Sequence, residues 1–120
     1  MTLSYLAMLL FKHYLADFVF QTDAMVTGKA IYSNLDGIFH SLLHGILTFW
    51  ITYVFTGNSW VSLGVGLVDF SMHYHIDWIK MNFGNRDITN RLFWNHLGLD
   101  QLAHQLTYVW FASYIGYYYE

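Results

Sequence analysis

The chain has 120 residues, which is enough for one domain with a single core. Apolar residues make up 56% of it and charged residues only 11%, whereas a soluble domain usually has about a quarter of its residues charged. A net charge of −3 gives no reason to expect a nucleic-acid partner, and the absence of cysteine excludes disulfides and thiolate chemistry.

Four apolar stretches follow one another along the chain, at residues 2–21, 36–56, 60–81 and 95–118. A helix of about 20 such residues can cross a hydrocarbon layer of about 30 Å. Aromatic residues, at 21% of the chain, fit the belts that flank such a layer. We therefore predict an all-α fold: an integral membrane four-helix bundle in a lipid bilayer, forming a single domain over residues 1–120.

The connectors predict the orientation of this bundle. Two are long and polar, at residues 22–35 and 82–94, and the third is the short turn TGNS. Four of the five basic residues lie in or beside the long connectors: Lys29, Lys80, Arg86 and Arg91. The positive-inside rule then predicts a multi-pass protein of the inner (cytoplasmic) membrane, with both termini on the non-cytoplasmic side.

The chain resembles two tandem copies of one two-helix unit, residues 1–60 and 61–120. Shifting the sequence by 60 positions aligns His13 with His73, and Asp17 with Asp77. The same shift aligns further pairs: His44 with His104, His40 with Asp100, Tyr14 with Tyr74, and Trp50 with Trp110. Two copies with two spans each would share one orientation in the membrane.

Each apolar stretch contains one pair of ionisable residues at positions i and i+4, a spacing that places both side chains on one helix face. The pairs are His13 with Asp17, His40 with His44, His73 with Asp77, and Asp100 with His104. All eight residues fall roughly 6 to 12 Å inside the predicted cytoplasmic helix ends, at 1.5 Å per residue. We therefore predict that the four faces meet in one pocket.

The chemistry of these eight residues favours a metal site. Ionisable groups in hydrocarbon are costly and are functional candidates by default. Imidazole and carboxylate ligands together suit Zn²⁺, Fe²⁺ or Mn²⁺, and eight candidates are enough for one or two ions. The carboxylates Asp17, Asp77 and Asp100 are also candidate catalytic residues, since a carboxylate can act as a general base. A mutually satisfied polar core and a proton relay are the alternatives.

Two charged residues break the repeat. Lys12 aligns with Met72, and Asp69 aligns with Leu9. Both lie near the middle of their stretches, where a lone charge would be expensive, so we predict an ion pair between them. His75 lies on the opposite side of its helix from the pocket and is predicted to face away.

Several polar residues could support the pocket. Gln21 and Gln101 are candidates for hydrogen bonds that orient a ligand, although a polar residue at a helix end is the simpler explanation for Gln21. Asp36 and His96 extend the ligand faces by one turn, and Asp36 could instead cap its helix. Three residues near the predicted cytoplasmic rim could attract an anionic head group or simply meet anionic lipid: Asp23, Lys29 and Lys80.

The motifs HYLADFVFQTD, HSLLH, HYHIDWIK and DQLAH, with a lysine at position 29, carry a resemblance over nearly the whole chain. The chain resembles a small inner-membrane family of bacteria and their phages that is catalogued only as a domain of unknown function. It is more distantly similar to families called membrane-bound metal-dependent hydrolases. The resemblance implies motif positions for His13, Asp17, His73, Asp77, Asp100 and His104.

These observations favour a membrane-embedded metalloprotein that hydrolyses a lipid-linked or anionic amphipathic ester. A metal or proton transport protein is one alternative, although the polar pairs stop at one depth. A non-catalytic protein of the bacterial or phage envelope is another. A homodimer is plausible because four short helices bury little surface.

Overall fold

The computed structural model describes residues 1–120 and is entirely helical. It contains five α-helices and one π-helical turn that continues α1. Their bounds are α1 (Thr2–Tyr14), the π-helix (Leu15–Val19), α2 (Asp23–Gly28), α3 (Leu35–Thr56), α4 (Ser59–Phe83) and α5 (Arg91–Tyr119). The all-α prediction is therefore confirmed.

An asparagine begins each of the three longest helices. The side chains of Asn34, Asn58 and Asn90 accept hydrogen bonds from backbone N–H groups two residues further on. These bonds satisfy donors that the first turn of a helix leaves free. Gly57, with φ of 66°, ends α3 in the left-handed region, so the turn between α3 and α4 is as tight as predicted.

The four long helices surround a common centre. Helix α1 packs against α3 and α5, and α4 packs against the same two helices, so α1 and α4 face each other diagonally. The terminal ammonium of Met1 lies 3.0 Å from a carboxylate oxygen of Glu120, and the Tyr5 hydroxyl lies 2.8 Å from that of Thr52. Both termini and the α3–α4 turn therefore share one end of the bundle, and the two long connectors share the other.

Helices α3 and α4 approach closely where two glycines meet. A Cβ atom on Gly66 would lie 2.8 Å from the carbonyl oxygen of Gly45, and one on Gly45 would lie 2.9 Å from that of Gly66. A side chain at either glycine would force the two helices apart. The short α2 packs on α3 in the same way, through Gly28 and Gly37.

The interior is more polar than the surface. Of 28 buried residues, fifteen are polar or charged, nine are apolar and four are glycines. Most of the apolar nine form a cluster, with Tyr5, Leu9, Tyr108 and Ile115 at its centre, between the polar interior and the end of the bundle that holds the termini. Thirty-seven large apolar side chains are exposed, among them Leu3 at 82% and Trp60 at 83%.

Two details of the helix prediction were wrong. The first stretch is not one regular helix over residues 2–21, because a π-helix follows Tyr14, and its widened turn holds Asp17. The connector 22–35 is not simply a polar loop, because it contains α2 and brings the number of α-helices to five. Neither feature has a counterpart in the second half of the chain.

One helix, α3, is long and apolar enough to cross a membrane by length and composition. A multi-pass membrane bundle therefore does not follow from the helices alone. The apolar average of α4 and α5 is lowered by polar residues that face the interior, such as Asp69, His73, Asp77, Asp100 and His104.

Candidate metal centre

All eight residues of the four predicted pairs are buried. Six of them fall into two compact groups whose potential ligand atoms lie within 4.8 Å of one another: Asp17, His40, His44 and His73 in one group, and His73, Asp77 and His104 in the other. His73 belongs to both groups, so the two form one continuous cluster. His13 and Asp100 lie at its edge.

Four atoms at the centre of the cluster form a cage. The Nε2 atoms of His40 and His73 are 3.1 Å apart. Asp17 Oδ1 lies 3.0 Å from His40 Nε2 and 3.5 Å from His73 Nε2. Asp77 Oδ2 lies 3.5 Å from His40 Nε2 and 3.1 Å from His73 Nε2.

Each of these five separations is close to the edge length of a metal-coordination tetrahedron. Ligand atoms about 2.0–2.1 Å from a zinc ion, arranged tetrahedrally, lie roughly 3.3–3.4 Å from one another. The cage separations, from 3.0 to 3.5 Å, bracket that value. The two imidazole nitrogens, together with the oxygen of Asp17 on one side and that of Asp77 on the other, are therefore candidate ligands for a divalent metal ion.

The protein leaves the two cage histidines free to act as ligands. The Nδ1 atoms of His40 and His73 are buried and contact no hydrogen-bonding group. No protein group therefore holds either Nδ1 as an acceptor, so each ring can carry its hydrogen on Nδ1 and present its Nε2 lone pair when an ion replaces the Nε2–H contacts to Asp17 and Asp77.

His44 is differently constrained. Its Nδ1 lies 3.1 Å from the Lys12 ammonium, which can only donate hydrogen bonds. In that arrangement Nδ1 accepts, and the hydrogen of the neutral ring is on Nε2, 2.9 Å from Asp17 Oδ1. His44 is thus placed to donate to a cage carboxylate and fix its orientation, rather than to bind the ion itself.

His104 occupies the equivalent position in the second half of the chain. Its Nε2 lies 3.1 Å from Asp77 Oδ1, just as His44 contacts Asp17, and both pairs are separated by 27 residues. Each cage carboxylate thus has a neighbouring imidazole outside the cage, although His44 contacts the cage oxygen of Asp17 and His104 contacts the other oxygen of Asp77. This part of the site follows the predicted repeat.

The remaining pairs break that symmetry. His73 is in the cage, but its counterpart His13 is not, because both ring nitrogens of His13 have other partners. His13 Nε2 lies 2.9 Å from Gln101 Oε1, and His13 Nδ1 lies 2.9 Å from the Tyr108 hydroxyl. His40 is in the cage, whereas its counterpart Asp100 is not.

Asp100 is connected to the cluster from two sides. Gln101 donates its amide hydrogen to Asp100 Oδ2 at 3.1 Å while accepting from His13, so it links the two residues. Asp100 Oδ1 lies 3.5 Å from His104 Nε2 and is buried without a hydrogen-bond partner. The expected orienting role of Gln101 is thus matched by its contacts, whereas Gln21 contacts only the backbone oxygen of Asp17.

Sequence reasoning missed two residues of the site. Lys29, expected at the rim, reaches inward and places its ammonium 3.0 Å from Asp77 Oδ2. Only the lysine in the family motif pointed to it, because α2, which precedes Lys29, was not predicted. Tyr108, the partner of His13, lies one helical turn beyond His104, and no pattern identified it.

Other predictions can be compared directly with the structure. The Lys12–Asp69 ion pair is confirmed, with Lys12 Nζ 2.6 Å from Asp69 Oδ2. His75 is exposed and contacts the Tyr32 hydroxyl, so it does face away from the cluster. Asp36 is exposed, and Asn34 caps α3 in its place. Asp23 is exposed as well, whereas Lys80 Nζ lies 4.0 Å from Asp100 Oδ2.

A family model described as "Protein of unknown function (DUF3307)" matches residues 5–119. This match covers nearly the whole chain and agrees with the resemblance to a domain of unknown function. The description names no membrane, phage or hydrolase. No curated protein and no solved structure matches the chain.

Proposed function

Since the chain belongs to the DUF3307 family of proteins of unknown function, we propose its function from the site: it is a membrane-embedded metalloprotein that hydrolyses a lipid-linked or amphipathic ester. The observation that carries the proposal is the cage of Asp17, His40, His73 and Asp77, in which each histidine Nε2 lies 3.0–3.5 Å from the other and from both carboxylate oxygens. Buried imidazoles and carboxylates in this arrangement are what a divalent transition metal requires.

The ligand set bears on which ion is used. Two imidazoles and two carboxylates suit Zn²⁺, Fe²⁺ or Mn²⁺. Zinc held by four protein ligands is typically structural, because a catalytic zinc keeps one position open for water. Di-iron and di-manganese proteins place carboxylate and histidine ligands on facing helices of a bundle, as this chain does. Iron or manganese is therefore the better match to catalysis, and a second ion would use ligands at the edge of the cage.

Asp100 is the residue best placed to act as a base. A bound divalent ion would lower the pKa of a coordinated water toward neutrality. Asp100 Oδ1 is buried, has no hydrogen-bond partner and lies 3.5 Å from His104 Nε2. Asp100 would accept the proton of the attacking water, with Gln101 holding its other oxygen in place. Asp17 and Asp77 would act through the cage rather than as bases.

The distribution of polarity supports a membrane location. In water, 37 exposed large apolar side chains and an interior of fifteen polar residues would both be costly. In lipid, the apolar surface is solvated and the polar interior is sheltered. The mean hydropathy of a whole helix includes the polar residues of α4 and α5 that face inward, so this mean is lower than the hydropathy of their outer faces. The basic connector end would lie at the cytoplasmic face of the inner membrane.

Two measurements test this proposal. Membranes from expressing cells are washed with alkaline carbonate, and the protein is expected to stay in the pellet and to require detergent for release. Elemental analysis of the detergent-purified protein is expected to find a transition metal at one or two ions per chain. Release by carbonate would contradict the membrane location, and protein that binds no Zn²⁺, Fe²⁺ or Mn²⁺ when these ions are supplied would contradict the metal centre.

A second candidate is transport of a metal ion or proton through the bundle. The structure holds more polar groups beyond the cluster than sequence reasoning expected. Thr48 Oγ1 donates to Asp69 at 2.5 Å, and one turn further along α3, Thr52 bonds to the Tyr5 hydroxyl. Metal or pH-dependent dye uptake into proteoliposomes would favour this candidate, whereas ester hydrolysis without uptake favours the first. Metal without either activity would indicate a structural ion in an envelope protein. A homodimer would cover part of the apolar surface.

A further inference from the structure

A groove opens between α4 and α5 beside Asp100. Its volume is about 370 Å³, within the range of small-molecule sites. Apolar side chains form its walls, chiefly Ile76, Ile79, Phe83 and Leu99. Ile79, Phe83 and Leu99 are also strongly exposed, so one side of the groove is open to the surroundings of the bundle.

One part of this groove is polar. Lys80 lines it with a side chain that is 27% exposed, and its ammonium lies 4.0 Å from Asp100 Oδ2. His96 also lines it, and its Nδ1 accepts a hydrogen bond from the backbone N–H of Asn85. A neutral imidazole that accepts on Nδ1 has its hydrogen on Nε2, so His96 retains a donor.

Asp100 connects this groove to the cluster. Its side chain is 3% exposed, it lines the groove, and its Oδ1 has no hydrogen-bond partner. On its other side, Asp100 lies 3.5 Å from His104 and is linked to His13 through Gln101. A molecule that fills the groove would therefore lie directly beside the buried His/Asp cluster.

We propose that this groove binds a membrane lipid with an anionic phosphate head group. The phosphate is held by the Lys80 ammonium and the His96 ring N–H, and the hydrocarbon chain lies along Ile76, Ile79, Phe83 and Leu99. Hydrolysis of this lipid rests on the proposed function, because the lipid would be the class of substrate that reaches Asp100. Binding itself needs only the groove.

Charge complementarity selects this occupant over a second copy of the chain. A slot with apolar walls and a cation at one end matches an amphiphile that has a charged end and an apolar tail. A second copy packed into the groove would cover the partly exposed Lys80 ammonium with apolar side chains, and Asp100 Oδ2, at 4.0 Å, would be its one charged partner. That arrangement would be costly in a low-dielectric environment.

Native mass spectrometry of the detergent-purified chain tests the proposal, with dioleoyl phosphatidic acid and dioleoylglycerol as probes that share the same tails. Phosphatidic acid is expected to bind at least about tenfold more tightly, since its phosphate forms a charge-assisted hydrogen bond with Lys80 that the hydroxyl of dioleoylglycerol does not. Lys80→Met should abolish this preference, and Ala103→Phe, which fills the groove, should weaken binding of both lipids.

Gly64→Phe is the matched control for Ala103→Phe, because Gly64 lies on α4 in a separate apolar groove nearer the other end of the bundle, with open space at its Cβ position. This variant should bind both lipids as the unaltered chain does. Equal binding of the two lipids, unchanged binding by Ala103→Phe, or a dimer that excludes lipid would overturn the proposal.

Each variant is also assayed for metal, so that the two proposals fail separately. Phosphatidic acid bound through Lys80 in a chain that takes up no metal would leave the groove in place and reject the metalloprotein. Metal at full occupancy with no preference for phosphatidic acid would reject the groove alone.

Discussion

Lys12 and Asp69 form an ion pair across the diagonal of the bundle, with Lys12 Nζ 2.6 Å from Asp69 Oδ2 and both side chains at most 4% exposed. The pair connects α1 to α4, two helices that otherwise have little contact. The Lys12 ammonium also lies 3.1 Å from His44 Nδ1, so the ion pair and the His/Asp cluster share one hydrogen-bond network.

The repeat itself supplies the substitutions that test this ion pair. Met72 and Leu9 occupy the equivalent positions, so Lys12→Met and Asp69→Leu each replace a charge with the residue from the other half. Each single change leaves a buried charge unpaired and is expected to destabilise the chain by about 3–5 kcal/mol. The double variant removes both charges and should recover most of that loss. Thermal unfolding in detergent measures all three.

A double variant whose loss of stability equals the sum of the two single losses would show that the two charges act independently. Thr48→Val serves as a control, because it removes one hydrogen bond to Asp69 but leaves the ion pair. Its cost should be smaller, about 1–3 kcal/mol.

The cage predicts which histidines bind metal. His40→Ala and His73→Ala each remove a cage ligand, and the purified variants should lose most of their metal. His44→Ala removes a donor to Asp17 and an acceptor for Lys12 but no cage ligand, so it should retain metal with an affinity lower by roughly 10–100-fold. Elemental analysis after dialysis against graded chelator concentrations ranks the variants by their affinity for metal. His75→Ala, an exposed histidine on α4, should match the unaltered chain.

Equal loss of metal in the His44 and His73 variants would contradict the division between cage and supporting histidines. It would mean that His44 presents a lone pair from Nε2 and that Lys12 does not hold Nδ1 as an acceptor.

Lys29 is predicted to oppose metal binding. Its ammonium lies 3.0 Å from Asp77 Oδ2, one of the four cage atoms, and competes with a cation for that oxygen. Lys29→Met should therefore bind metal more tightly, while the metal-free variant unfolds at a lower temperature because Asp77 loses a partner. Competition with a fluorescent chelator measures the first effect and thermal unfolding the second. Weaker metal binding in this variant would refute the competition.

The crossing of α3 and α4 can be tested with a pair of glycines on α4. Gly66→Ala places a methyl group against the carbonyl oxygen of Gly45 and should destabilise the bundle by about 1–3 kcal/mol. Gly64→Ala, two residues away, has open space at its Cβ position and should be neutral or stabilising by up to about 1 kcal/mol. Equal unfolding temperatures for the two variants would show that the close crossing is not required.

The sequence determined the helical class, the ends of the long helices to within a few residues, and the burial of all four ionisable pairs. These follow from local rules: apolar length, the i and i+4 spacing, and the cost of an isolated charge in an apolar stretch. The Lys12–Asp69 pair followed from the same cost, because two charges that break an otherwise apolar repeat need each other.

The tertiary structure decided the roles within the cluster. Repeat symmetry made His13 equivalent to His73 and His40 equivalent to Asp100, yet only His40 and His73 lie in the cage. The difference comes from the hydrogen-bond partners of the ring nitrogens. Gln101 and Tyr108 contact both nitrogens of His13, and Lys12 contacts Nδ1 of His44. No repeat-related residue makes the corresponding contact with His40 or His73.

Local rules also could not predict the position of Lys29, because it depends on the packing of α2 against α3 through Gly28 and Gly37. Spacing along a helix fixes which face a side chain occupies. Which of its atoms remains free to bind an ion depends on hydrogen-bond partners from other helices, and only their packing brings those partners into place.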